Sequence, residues 1–187
     1  MMKTLARTTL WDTAIDQHGY VTAAQARDVG ISQATVTMLV QRGKLERAGW
    51  GLYRFPEIPV TQYDQYALAV LWTGVPEATL SHETALDCYA ISDINPNLIH
   101  ITVNPARRIR RSGGEEYVVH YETLSHEQVG WWEQIPIVKP VVAVEQCIDY
   151  GTPTYLLVQA IENGHKDGYL KKTDRDTLME RLEKRHE

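Results

Sequence analysis

Residues 22–43 are punctuated so densely that they leave the backbone few choices. Thr22 stands three residues before Gln25, the spacing of a capping box, in which each side chain satisfies a backbone donor of the other's turn. A short helix is therefore expected over residues 23–29, closed by Gly30, because glycine adopts the left-handed conformation that ends a helix without steric cost. Ile31 is an apolar anchor, and Ser32 is a good N-cap for a further helix through residue 42, with Gly43 as its stop. That is helix-turn-helix punctuation. Upstream, Leu10, Trp11, Ala14 and Ile15 recur at three- and four-residue spacing, which predicts one apolar stripe of a helix ending at Gly19.

On the helix from Ser32, Val36, Leu39 and Val40 share one side, and Gln33, Thr37 and Gln41 form a four-residue row on the other. The second face carries no acid. Short uncharged side chains of this type hydrogen-bond base edges or phosphates in a major groove, whereas a merely solvated helix more often shows Glu and Lys. After Gly43, residues 44–48 and 52–55 are strand-like runs about Gly49-Trp50-Gly51, which reads as a wing hairpin. Leu45, Tyr53 and Phe55 are expected to pack back on the helices. The candidate DNA-binding set is Ser32, Gln33, Thr35, Thr37 and Gln41 on the helix, with Arg42, Lys44, Arg47, Trp50 and Arg54 as flanking and wing groups. Trp50 has a second reading, in which it folds back onto the rest of the chain.

Charge supports a division of labour. The net charge of -5 over 187 residues argues against a polyanion binder when taken whole. Residues 1–55, however, hold seven Lys/Arg against four Asp/Glu, and residues 56–187 hold twelve against twenty. Such polarisation between halves is a hint of separate tasks, and the break falls near Pro56 and Pro59. Cys88 and Cys147 are far apart with no C-x-x-C spacing, so neither a disulfide framework nor a zinc module is indicated, and both are expected reduced and buried. With no long apolar run, the chain is expected to be soluble and cytoplasmic.

The N-terminal residues resemble a known family. Gly19-Tyr20-Val21-Thr22 with Ala24-Gln25-Ala26, then Gly30-Ile31-Ser32, Leu39-Val40-Gln41-Arg42-Gly43, Leu45-Glu46-Arg47 and Gly51-Leu52-Tyr53-Arg54, are similar to the N-terminal winged helix of the AbiEi family, the antitoxins of type IV toxin–antitoxin systems. The resemblance implies a DNA-binding autorepressor encoded beside a nucleotidyltransferase toxin, acting without a stable toxin–antitoxin complex. It implies no active site.

Beyond residue 60 the pattern predicts a mixed domain. Tyr63, Tyr66, Ala67, Val70 and Leu71 give an amphipathic helix, and strands are expected at 78–80, 98–103, 117–121 and 135–138. Helices are expected from Ser81 through Tyr89 and over 141–148, 154–162 and 173 to the end. Ser81-His82-Glu83-Thr84-Ala85-Leu86 and Ile99-His100-Ile101-Thr102-Val103 resemble the start of the same family's C-terminal antitoxin domain. Residues 135–138 with Pro140 are similar as well.

Arg107, Arg108, Arg110 and Arg111 crowd a loop of this otherwise acidic half and make it a candidate antitoxin or anion-binding surface; its alternative is a solvated loop paired with nearby acids. Seven histidines include His82, His100 and His120, but His-Glu without a second His four residues on lacks the zincin pattern. No Gly-x-Ser-x-Gly elbow occurs, and no acidic set for a metal-dependent nuclease lies near the central strands.

The expectation is thus an α+β chain: a winged helix-turn-helix DNA-binding domain over residues 1–57 and a C-terminal antitoxin-type α/β domain over residues 60–187. It is expected to be a non-enzymatic autorepressor without cofactor or metal. Its partners are double-stranded DNA with inverted repeats, bound by two copies per operator, and a nucleotidyltransferase toxin; no membrane is involved. Two alternatives stand beside it, a protein-interaction module and a winged-helix-targeted nuclease built on residues 78–187.

Overall fold

The computed structural model describes residues 2–109 and 111–185, and the chain divides into two compact units. One runs through Pro76 and takes in Ile109–Gly113 and Glu133–Ile135; the other comprises Glu77–Arg108, Gly114–Trp132 and the chain from Pro136. The architecture is α+β.

The first unit is built from α1 (Met2–Ile15), β1 (Tyr20–Thr22), α2 (Ala23–Asp28), α3 (Gln33–Gln41), β2 (Glu46–Gly49), β3 (Leu52–Arg54) and α4 (Asp64–Trp72). The capping box forms as expected: Gln25 N donates to Thr22 Oγ1 at 3.1 Å, and Thr22 N donates to Gln25 Oε1 at 2.8 Å. Ser32 caps α3 and accepts from Thr35 N at 3.2 Å. Leu10, Ala14, Ala26, Val36 and Leu39 from the helices and Ile31 from the turn between α2 and α3 meet Leu45, Tyr53 and Phe55 in one core. Phe55 stands edge-on to Trp11 with ring centroids 5.1 Å apart. Ile15 departs from the expected stripe. It is 54% exposed, because the buried stripe follows the row of Leu10 and Ala14, both enclosed in the core, and Ile15 falls beside it.

One strand of this unit was invisible to periodicity. Tyr20, Val21 and Thr22 pair antiparallel with Arg54, Tyr53 and Leu52, so the hairpin β2–β3 becomes a three-stranded sheet of order β1-β3-β2. Three residues are too few to display a two-residue repeat. Gly19 turns the chain into β1 at φ +89, and its carbonyl accepts from Phe55 N at 2.9 Å. A Cβ there would sit 3.3 Å from Ile58 Cβ, so both conformation and space demand glycine.

The second unit contains β4 (Thr79–Leu80), α5 (His82–Cys88), β5 (Ile99–Val103), β6 (Tyr117–Tyr121), β7 (Val129–Trp132), β8 (Ile135–Val138), α6 (Pro140–Tyr150), α7 (Thr154–Lys166) and α8 (Lys172–Lys184). Its sheet has the order β6-β5-β4-β8-β7, with β4 antiparallel to β5 and parallel to β8, and β5 parallel to β6. Strand β7 was not expected from the sequence. It is joined to β8 through Glu133 and Gln134, both at positive φ (+47 and +64), the backbone of a tight I′-type hairpin without its usual Asn-Gly letters. Helix α7 also outruns its expected end at 162. Gly164 lies inside it because Leu170 passes so close that a Cβ would meet Leu170 Cδ1 at 3.1 Å.

Cys147 is buried as expected, but Cys88 is only half-buried. Burial pushes both thiols well above the usual range, which leaves them unreactive. Among the described residues, no helix is long and apolar enough to cross a membrane.

Candidate nucleic-acid interface

Helix α3 divides its two faces as its sequence demands. Val36 and Leu39 enter the core, while Gln33, Ala34, Thr37 and Gln41 are exposed on the opposite side. The uncharged flank is held in position by the fold. Gln33 Nε2 donates to Tyr53 Oη at 3.0 Å, which tethers the amide and leaves its oxygen to accept. Thr37 Oγ1 donates to Gln33 O at 2.9 Å, so this side chain offers a methyl group and acceptor lone pairs outward. The Ser32 hydroxyl, which caps the helix, also shares a hydrogen bond with the Thr35 hydroxyl at 3.0 Å. Ala34 was not singled out from the sequence. Its small side chain lets another surface approach the helix closely, and nothing in an alanine's letter signals that.

Cations frame this flank on one side of the helix in the chain. Arg42 is the C-cap of α3, and Arg42, Lys44 and Arg47 are all exposed. Arg47, opposite Tyr53 in the β2–β3 register, donates through Nε to Gly49 O at 3.3 Å, and its guanidinium lies 5.7 Å from the Trp50 ring centroid. Trp50 is 74% exposed at the wing tip. The tip is anchored from below, since Ala23 N donates to Gly51 O at 2.8 Å.

Arg54 does not belong to this set. It is 8% exposed, its Nη groups donate to Phe55 O and Ile58 O at 3.2 and 2.6 Å, and its Nε lies 3.4 Å from Asp64 Oδ2. Its place on β3 turns it toward Tyr20 and the start of α4, away from solvent, so it is a structural ion-pair residue and not a phosphate ligand. Asp64 is equally enclosed and also accepts from Thr61 N and Oγ1. Arg54→Ala leaves that carboxylate without its cation, and removing one partner of a buried pair costs about 3 kcal/mol or more. Urea unfolding is expected to show this loss with little dependence on salt; an unchanged midpoint would contradict the assignment.

The arginine run is divided as well. Arg107 and Arg108 are exposed, and Arg107 lies 3.6 Å from Glu77, an exposed pair worth up to about 1 kcal/mol. Arg111 is half-buried and donates through Nη1 to Trp72 O at 2.8 Å, while Trp72 Nε1 donates to Ser112 O at 3.0 Å. Its guanidinium therefore clamps the end of α4 and is not open to an anion. Arg110 lies outside the described residues.

A second cluster lies wholly in the other unit. His82 from α5, His100 from β5 and His120 from β6 converge, although the sequence separates them by 18 and 20 residues. The parallel register pairs His100 with Val118 and Thr102 with His120, which places the two strand histidines on one face as diagonal neighbours. Nothing in the local sequence signals this, because the pairing of β5 with β6 is long-range.

Two capped helices about a short turn, a β-hairpin, an uncharged polar helix flank and exposed cations beside it make an arrangement of the helix-turn-helix kind that DNA-binding regulators use. Residues 12–56 match the family model described as "Transcriptional regulator, AbiEi antitoxin", so this segment is similar to antitoxin-type transcriptional regulators. Among solved structures, the chain is similar to the crystal structure of RV2827C protein from Mycobacterium tuberculosis, with 13% identity and a TM-score of 0.47, covering 95% of this chain and 81% of that one. No curated protein matches the chain.

Proposed function

We propose that this chain is a DNA-binding transcriptional autorepressor and antitoxin of a type IV toxin–antitoxin system, which counteracts a nucleotidyltransferase toxin. The observation that carries the reading is the exposed, charge-free flank of α3 beside Arg42, Lys44 and Arg47, within the segment that matches the regulator family. In this reading residues 1–57 are the DNA-binding domain and residues 60–187 the antitoxin domain, working in the cytoplasm without catalysis. Helix α3 enters a major groove, where Gln33, Thr37 and Gln41 face base edges and Ala34 permits close approach. Ser32 and Thr35 face the backbone at the helix N-terminus. Arg42, Lys44 and Arg47, at and beyond the C-terminal end of α3, bind phosphates, and Trp50 lies along the wing. So few cations bind weakly as one copy, so two copies sit on an inverted repeat in the promoter and exclude polymerase.

A gel shift with the upstream intergenic DNA tests this. Gln41→Ala is expected to cost about 1–3 kcal/mol on the operator and nothing on scrambled DNA, as a base contact does. Arg47→Ala is expected to weaken both equally and to lower the salt slope by about one. Unchanged binding by both variants would retire α3 as the reading helix. The antitoxin half is tested separately at the arginine loop, where Arg108→Glu with Arg110→Glu is expected to abolish rescue from the downstream nucleotidyltransferase while operator binding stays within a few-fold. Full rescue would dismiss that surface.

A further inference from the structure

We propose that His82, His100 and His120 form a binding site for one zinc-type divalent transition-metal ion in the second unit, with a coordination position left for water. This goes beyond the DNA-binding reading and shares no residue with it. The donor set is three imidazoles whose ligand nitrogens all lie within 4.8 Å of one another. His100 Nδ1 and His120 Nε2 are 3.1 Å apart, close to the roughly 3.3 Å that tetrahedral coordination at about 2.0–2.1 Å imposes on neighbouring nitrogens.

The surroundings tie down the rings of His100 and His82 through their outer nitrogens. Glu83 Oε2 lies 3.9 Å from His100 Nε2, a carboxylate behind the imidazole that leaves Nδ1 to face His120. Thr152 Oγ1 donates to Glu83 Oε1 at 2.7 Å and holds that carboxylate in place. Ser81 Oγ lies 3.0 Å from His82 Nδ1, which frees Nε2 of that ring. Gln146 ties the layer together, accepting from His82 N at 3.3 Å and donating to Glu122 at 2.6 Å. Tyr150 presents its ring edge-on to all three imidazoles.

The ligands differ in access: His82 and His100 are buried and His120 is half-buried. His82 also holds φ +50, a left-handed backbone that a non-glycine residue adopts only when its surroundings impose it. One adjustment is required. His82 and His120 are stacked at 3.5 Å and 13°, and two nearly parallel rings cannot both point at one ion, so His82 must turn out of the stack on binding. Three imidazoles select zinc, cobalt or nickel over magnesium or calcium, which prefer oxygen ligands.

The test uses full-length, tag-free protein stripped with chelator and titrated with Co²⁺ and Zn²⁺. One cobalt per chain is expected, with the visible absorption of a four-coordinate nitrogen site, displaced stoichiometrically by Zn²⁺. His120→Gln, the least buried ligand, is expected to weaken binding at least tenfold with unchanged far-ultraviolet circular dichroism, whereas His126→Gln on the exposed surface should bind as the parent does. If His120→Gln loses its fold, the paramagnetically shifted imidazole resonances of the parent decide the matter, since three are expected. No cobalt uptake above the chelator blank, full uptake by folded His120→Gln, or shifted signals from fewer than three imidazoles would each overturn the site.

Discussion

Reversing Arg42, Lys44 and Arg47 together to Glu is expected to lower operator affinity by more than about 100-fold at 0.15 M salt and to cut the salt slope by about three. Each of these side chains is exposed, and none supports the core formed by Leu10, Val36, Leu39 and Phe55, so the fold should be untouched. The size follows from counterion release. A protein that neutralises a phosphate frees a condensed cation, and each lost contact removes about 0.9 from the slope on B-DNA. Reversal adds repulsion to that loss. Fluorescence anisotropy across a salt series measures both quantities; affinity within a few-fold of the parent would remove this face from the DNA.

The metal-free protein should lose stability steeply as pH falls from about 6.5 toward 4. His82, His100 and His120 titrate near 6.5 when unfolded but near 3 to 4 when folded, because burial disfavours their charged forms and, for His82 and His120, neighbouring imidazoles disfavour a further positive charge. Between those limits the unfolded chain binds more protons than the folded one, so the unfolding free energy rises with pH across the window and is lost as pH falls through it. Above pH 6.5 both states are neutral at these rings and the contribution is level. Each histidine adds up to about 1.4 kcal/mol per pH unit within the window, and the three release protons as one coupled group.

Groups facing the cluster include Glu83, which raises His120, together with Ser81, Tyr150 and, through Gln146, Glu122. They do not reverse the direction. Urea unfolding in chelator at several pH values should show the decline, and a flat profile from pH 7 to 4.5 would refute it.

Legibility followed the range of the interactions. The capping box at Thr22, the cap at Ser32 and the glycine stops are contacts between residues three or four apart, and they were readable one turn at a time. The strand at 135–138 was legible because its apolar run is buried, and the strand at 117–121 because its β-branched and aromatic residues favour a half-buried pleated surface. Arg54 was misread because a strand's arginine looks alike whether it meets solvent or Asp64 ten residues on. Arg111 was misread in the same way, its acceptor being the carbonyl of Trp72. The Glu133–Gln134 turn carries a backbone that usually recruits Asn-Gly, so its letters concealed a hairpin.

Local chemistry written into residues 22–55 was therefore enough to determine two capped helices, a wing, an uncharged flank on α3 and the family likeness that goes with them. Tertiary structure alone decided which arginines face water and which are enclosed, and it alone assembled His82, His100 and His120 at one point. The physical reason is that a side chain's burial and partners depend on strand pairings and packing between segments distant in the chain. Periodicity and caps carry no information about those.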